Sequence, residues 1–288
     1  MIEFFCDIGS NFITKDGPSY DRALELIETA AEIGCTGVKF QYFKADKLWH
    51  PSMTKEIEAA RARELKIEWI DGLSAVARYN GLLFGLSVFD KDDVLEVEPY
   101  VDYFKIASFE IGLFDLVEKC YLTGKRLMLS AGQSDKDEIF NICKNLPQEY
   151  DDGINGQIID ILHCVSKYPA QIQDCNLNII KSNPWINGYS DHTTEPSVFF
   201  AAVALGAKVI EFHLDLNDSE GLETDHSWDY RGLGGTILFC EEIEQALGTD
   251  NWDEIIKLQD RKYKANPETG LRGKPKIICN LGEDMSQR

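Results

Sequence analysis

Short apolar runs alternate with amphipathic segments along the chain, the pattern of a parallel sheet wrapped in helices. The runs predict eight strands, near residues 2–8, 37–43, 82–88, 102–107, 126–130, 158–164, 186–190 and 208–214. Between them apolar positions recur at helical spacing, as in Tyr20 to Ile33, where Ala23, Leu24, Leu26, Ile27 and Ala30 form the apolar set. A second helix is predicted over Glu195 to Leu205, with Thr193 or Thr194 as its N-cap. The interval from Phe43 to Leu82 is expected to hold an extended loop before a helix near Arg61 to Tyr79. Glycine follows several helical segments, at Ile33-Gly34, Thr123-Gly124-Lys125 and Leu205-Gly206-Ala207, which fits helix C-capping. This order predicts an α/β fold, a (β/α)8 TIM barrel.

The 288 residues suit one such barrel with a short C-terminal extension. Periodicity dissolves after Leu247 into a polar stretch with Pro267, Pro275, the run LRGKPK and an acidic end. Residues 1–248 are therefore expected to form the barrel, and 249–288 a partly ordered tail too short for its own domain.

Composition narrows the function classes. A hydrophobic content of 44% rules out disorder as the main state. With 29 basic and 49 acidic residues, the net charge of −20 opposes binding to nucleic-acid phosphates and anionic membranes. The cysteines (Cys6, Cys35, Cys120, Cys143, Cys164, Cys175, Cys240, Cys279) make no C-x-x-C pair or zinc spacing and read as reduced thiols. MIEFFCDIGS lacks the basic segment and extended apolar core of a signal peptide, and the best apolar stretch, Val198 to Ile210, is too short to span a bilayer. A cytoplasmic protein is expected.

In a (β/α)8 barrel, reactive groups stand at the C-terminal ends of the strands. Here the runs end in Asp7; Lys39 and Gln41; Ser87 and Asp90; Lys105, Ser108 and Glu110; and Ser130. They continue with His163, Ser166 and Tyr168; Ser190, Asp191 and His192; and Glu211, His213 and Asp215. Lysines and histidines are costly in a barrel interior unless paired or facing a ligand, so this concentration favours an enzyme site. Lys39 and Lys105 either join the serines in a cup for a phosphate or form internal ion pairs with Asp7 or Glu110. His192 and His213, on adjacent strands, either share a divalent ion or are separately hydrogen-bonded. His50 and His226 fall in loops, and His163 within a strand.

Six segments carry a resemblance. CDIGSN (Cys6 to Asn11), GVKFQYFKADKL (Gly37 to Leu48), YFKIAS (Tyr103 to Ser108), LHCVSKYP (Leu162 to Pro169), GYSDHT (Gly188 to Thr193) and ALGAKVIEFH (Ala204 to His213) resemble, in order, the catalytic barrel of sialic acid synthases, the N-acetylneuraminate synthase family. The resemblance implies a phosphoenolpyruvate-dependent, carbon–carbon bond-forming transferase. Its acceptor would be an open-chain N-acetylhexosamine or related amino sugar, its products a nonulosonic (2-keto-3-deoxy) acid and phosphate.

Residue by residue, the resemblance implies that Lys39, Ser87, Lys105, Ser108, Ser130, Ser166 and Ser190 hold phosphoenolpyruvate. Ser166 stands where the family often has Asn, and Asp7 where it usually has Glu. His192 and His213 match ligands of a divalent metal ion, manganese or magnesium, while Gln41, Tyr168 and Asp225 match sugar contacts. Asp7, Lys39, Glu110 and Asp225 are the implied catalytic residues, with Asp7 or Glu110 activating water or stabilising positive charge. Only the barrel is matched; the antifreeze-like domain by which bacterial members lend an arginine to a partner's acceptor site is expected to be missing. Arg261, Lys264, Arg272 and Lys274 are the tail's candidates for that role. The implied partners are small-molecule substrates and, by family habit, a second copy in a homodimer. Competing readings are another metal-dependent sugar barrel, an aldolase or isomerase, and a non-catalytic binding barrel.

Overall fold

The computed structural model describes residues 1–146, 159–216, 220–249, 251, 254, 255 and 257. Eight parallel strands form the barrel: β1 (Glu3–Gly9), β2 (Gly37–Tyr42), β3 (Leu83–Val88), β4 (Tyr103–Ile106), β5 (Arg126–Ser130), β6 (Ile159–Cys164), β7 (Gly188–Asp191) and β8 (Val209–Asp215). Each pairs with its neighbour in sequence order, and β8 returns to β1 with Glu3 opposite Val209 and Asp7 opposite His213, which closes the sheet. All lie within two residues of the predicted bounds. The two-residue strand Trp228–Asp229 adds in parallel to the end of β8.

Alternation along the strands separates two interiors. Outward residues such as Phe4, Cys6, Val38, Phe40, Phe84, Phe104, Leu127, Ile210 and Phe212 pack in one large cluster with residues of the surrounding helices. Inward residues form layers. At the N-terminal end Arg126 pairs with Glu3 and Asp160, each at 2.7 Å. Above it Phe5, Tyr103, Met128, Leu162 and Val209 make an apolar plug. The next inward positions are Asp7, Lys39, Ser87, Lys105, Ser130, Cys164, Ser190 and Glu211. The same period of two that buries the plug therefore delivers a polar layer directly above it.

Ser19 caps the helix Tyr20–Glu32 by accepting from the Arg22 N–H, and Gly34, Gly124 and Gly206 take positive φ at the predicted helix ends. Two helix expectations need correction. The stretch Arg61 to Tyr79 is divided between helices Thr54–Arg61 and Ile67–Tyr79. Ile57 and Ala60 pack with Phe43 and Ala45 in a small separate cluster, whereas Leu65, Ile70 and Leu73 face the main core, and one straight helix cannot serve both. The helix Pro196–Ala204 starts at Glu195 rather than at a threonine. Thr193 is engaged elsewhere, its hydroxyl donating to Asp191 Oδ1 at 2.7 Å, and Thr194 has φ of 59°.

Internal contacts gather Met1–Ala246 into one compact unit and assign Leu247–Arg288 to another. The tail expected over 249–288, with Arg261, Lys264, Arg272 and Lys274, lies outside the described residues but for positions 249, 251, 254, 255 and 257.

Candidate active site

A cavity of about 610 Å³ opens at the C-terminal ends of the strands. Its wall brings together Asp7, Lys39, Gln41, Ser87, Lys105, Ser108, Glu110, Ser130, Tyr168, Ser190, His192 and His213. Of the strand-end residues, Asp90, His163, Asp191 and Asp215 are not in that wall, and neither are two residues to which the resemblance gives a site role. Asp225 is exposed in the turn Thr224–His226, and Ser166 is half-buried, its Oγ without a hydrogen-bond partner among the described residues.

The floor is a chain of alternating charges. Lys39 Nζ pairs with Asp7 and lies 3.3 Å from Glu211 Oε1; Lys105 Nζ lies 3.0 Å from Glu211 Oε2. All four side chains are buried. The ion-pair alternative for the lysines is thus realised, with Glu211 rather than Glu110 as the second carboxylate. Burial disfavours ionisation of Asp7, but Lys39 and His213 outweigh it and hold the carboxyl well below the usual range. Burial likewise opposes Glu211, and Lys105 and Lys39 hold it low.

Each ammonium also donates to a serine, Lys39 to Ser87 Oγ at 3.1 Å and Lys105 to Ser130 Oγ at 2.7 Å. Because those oxygens accept from the ammonium groups, their own protons remain available to a ligand. Lys105 spends two of its three N–H groups on Glu211 and Ser130, which leaves a third. Ser108 Oγ accepts from the Gly132 N–H at 3.2 Å beside Cys164 Sγ at 2.9 Å.

Above the floor stand the histidines. His192 Nδ1 lies 2.7 Å from the Val165 carbonyl, which makes it the protonated nitrogen and leaves Nε2 its lone pair. Burial and the neighbouring His213 push its pKa down to about 3. His213 Nδ1 donates to Glu223 Oε2 at 2.9 Å, and although burial lowers its pKa, Asp7 and Glu223 raise it overall. The His226 ring centroid is 4.8 Å from that of His213, and burial followed by His213 lowers its pKa to about 4. His213, Glu223 and His226 each offer a donor atom, all within 4.8 Å of one another. Tyr168 covers the group, its ring centroid 4.3 Å from that of His192.

Sequence reasoning assigned no role to Glu211, Glu223 or His226. Glu211 carries the barrel-interior signal, an acid between apolar neighbours two positions before His213. Glu223 and His226 lie in a polar segment after the last strand, where only the three-residue spacing of an acid and a histidine marks them. Trp49, Arg63, Phe89, Phe109 and Leu222, which bear no motif, also line the cavity, as does Leu48 at the end of the Gly37 to Leu48 segment. Burial pushes the pKa of Glu110 up to about 7 against the lowering effect of Lys105.

A closed barrel with lysines, serines, carboxylates and histidines gathered at one strand-end mouth has the layout of an enzyme active site. Comparison with known proteins bears on this directly. The sequence profile of the NeuB family matches residues 26–251, and the chain belongs to that family. It is 33% identical over 263 residues to the uncharacterized protein MJ1065 of Methanocaldococcus jannaschii, covering 84% of this chain and 76% of that protein. To the N,N'-diacetyllegionaminic acid synthase of Campylobacter jejuni it is 31% identical over 249 residues, 78% of this chain and 72% of the relative. Among solved structures, the N-acetylneuraminic acid (sialic acid) synthetase of Leptospira borgpetersenii, in complex with citrate, superposes with a TM-score of 0.78 at 24% identity, covering 89% of this chain and 90% of the other. That likeness establishes the fold.

Proposed function

We propose that this barrel condenses phosphoenolpyruvate with an open-chain N-acetylhexosamine or related amino sugar, giving a nonulosonic acid and phosphate. The observation that carries the reading is the floor itself: Asp7, Lys39, Glu211 and Lys105 in alternation, with Ser87 and Ser130 turned into donors by the ammonium groups. Such a floor offers a phosphorylated carboxylate charge-assisted hydrogen bonds while remaining neutral when empty.

A divalent cation, manganese or magnesium, belongs to this reading, and the donor set fits one. Imidazoles that burial keeps neutral, at His192 and His226, adjoin His213 and the carboxylate Glu223. His192, His213, Glu223 and His226 would hold it, and bound there it supplies Lewis acidity toward a sugar aldehyde oxygen.

The chain's own groups divide the remaining work. In the reaction, C3 of phosphoenolpyruvate bonds to the aldehyde carbon, water adds at C2, and the C2 centre becomes a ketone as phosphate leaves. Lys39, Lys105 and the serines orient the phosphate and stabilise it as it departs. Asp7, ionised between Lys39 and His213, stabilises positive charge developing at C2, and the protons of the added water end on the sugar oxygen and the departing phosphate. Glu110, with its pKa near 7, delivers a proton to the oxygen that was the aldehyde. Gln41 and Tyr168, with Trp49, Arg63, Phe89 and Phe109, line the space left for the rest of the sugar.

The described cysteines are all free, in keeping with a reducing cytoplasm. No helix among the described residues is long and apolar enough to cross a membrane. Phosphate release from phosphoenolpyruvate, measured with manganese across N-acetylmannosamine, its 6-phosphate and diacetamido-trideoxy hexoses, tests the reaction, with product masses naming the acceptor. Release that no amino sugar stimulates would sink it.

A further inference from the structure

Glu223 and His226 belong to the segment after β8, where the single turn Thr224–His226 is helical. Their anchor comes from the opposite end of the chain. Asn11, wholly buried just after β1, accepts the Glu223 backbone N–H on Oδ1 at 2.8 Å. Its Nδ2 donates to the Leu214 carbonyl and to Ser227 Oγ, both at 2.8 Å. Ser227 Oγ in turn donates to the Glu223 carbonyl at 2.6 Å. One carboxamide therefore grips the segment at its start, at its end and at Glu223.

The orientation of that amide follows from its partners, because a carbonyl only accepts and a backbone N–H only donates. Asn11 is itself pinned: its carbonyl accepts from Arg22 Nε at 2.6 Å, and Arg22 Nη2 reaches Asp215 Oδ1 at 2.7 Å. The same turn aims the carboxylate. Ser10 N–H donates to Glu223 Oε1 at 3.1 Å, and Gly9, at φ of 53°, has no Cβ to collide with that carboxylate.

We propose that Asn11 is a positioning residue for the cation site, setting where Glu223 and His226 stand against His213. Asn11 is absent from the cavity wall and acts through the segment it holds. The inference rests on the reading of His213, Glu223 and His226 as cation ligands. Partners one step outside a metal's ligands typically govern affinity by roughly 10- to 100-fold.

Calorimetric binding of manganese to the purified chain, without substrates, tests it. Asn11→Asp keeps the shape but turns an oxygen toward the Leu214 carbonyl, and Ser227→Ala removes a single link of the same network. Manganese affinity should fall about tenfold or more in Asn11→Asp, and less in Ser227→Ala. Metal-free affinity for phosphoenolpyruvate should stay within about twofold of wild type in both, because that floor has no bond to Asn11. Unchanged manganese affinity in Asn11→Asp, or in Ser227→Ala if the first variant does not fold, overturns the proposal, as does an equal loss of phosphoenolpyruvate affinity. Wild-type chain that binds no manganese overturns the ligand set as well. Wild-type chain that binds manganese yet forms no product overturns the proposed reaction and leaves the positioning role standing.

Discussion

Glu211 and Lys105 meet at 3.0 Å beneath the cavity, each almost wholly buried, and the other oxygen of Glu211 faces Lys39. The carboxylate thus neutralises two almost wholly buried ammonium groups. Glu211→Gln leaves Lys39 its pair with Asp7 and leaves Lys105 without an ion pair among the described residues. Loss of one partner from a buried pair typically costs about 3–5 kcal/mol. A fall of that order in unfolding free energy by urea titration is expected, and a change under about 1 kcal/mol would contradict the description of the floor.

Lys105→Met separates the two substrates. The methionine fills the stem's space but removes the N–H groups that face Ser130 and the cavity. The KM for phosphoenolpyruvate should rise about tenfold or more, the scale of one charge-assisted contact, while the KM for the amino sugar changes far less. Equal rises in both would remove the phosphate assignment.

His213→Ala probes the cation. The side chain lies between Asp7 at 3.7 Å and Glu223 at 2.9 Å, so its removal takes a proposed ligand and leaves the lysine floor in place. The variant should keep its far-ultraviolet circular dichroism and lose manganese-dependent turnover. Full activity in metal-buffered solution would exclude the histidine from the site.

Glu110 gives a pH signature. Burial raises its pKa from 4.5 to about 7 in the folded chain. Between those values the folded state keeps a proton that the unfolded state has released, so this group's contribution to stability declines as pH rises through the window. Relative to wild type, Glu110→Gln should therefore gain stability from pH 4.5 toward pH 7 in thermal melts. Its rate profile should also lose the limb that falls as wild-type Glu110 deprotonates near neutrality. Identical pH profiles for the two proteins would show that Glu110 handles no proton in the reaction.

The strands and the helix Tyr20–Glu32 were legible because burial writes them locally. A period of two places Phe5 and Asp7, or Met128 and Ser130, on the same inward face, and any stretch of six residues reveals it. The strand-end rule then located nearly all of the floor, from Lys39 and Lys105 to the serines. Helix divisions were harder, since the break after Arg61 depends on two separate apolar clusters and not on any breaker residue.

Barrel order, inward polar positions and the family resemblance thus reside in the sequence, because each rests on neighbours a few residues apart. Pairings between remote strands do not. Glu211 became the shared partner of Lys39 and Lys105 only when β8 closed against β1, and Glu223 and His226 joined the histidines only because Asn11 holds their segment. The Asn11 bond to Leu214 joins residues 203 positions apart, so the segment's path is written in a contact that forms when the sheet closes. Barrel closure is the physical event that turns scattered acids and histidines into one site.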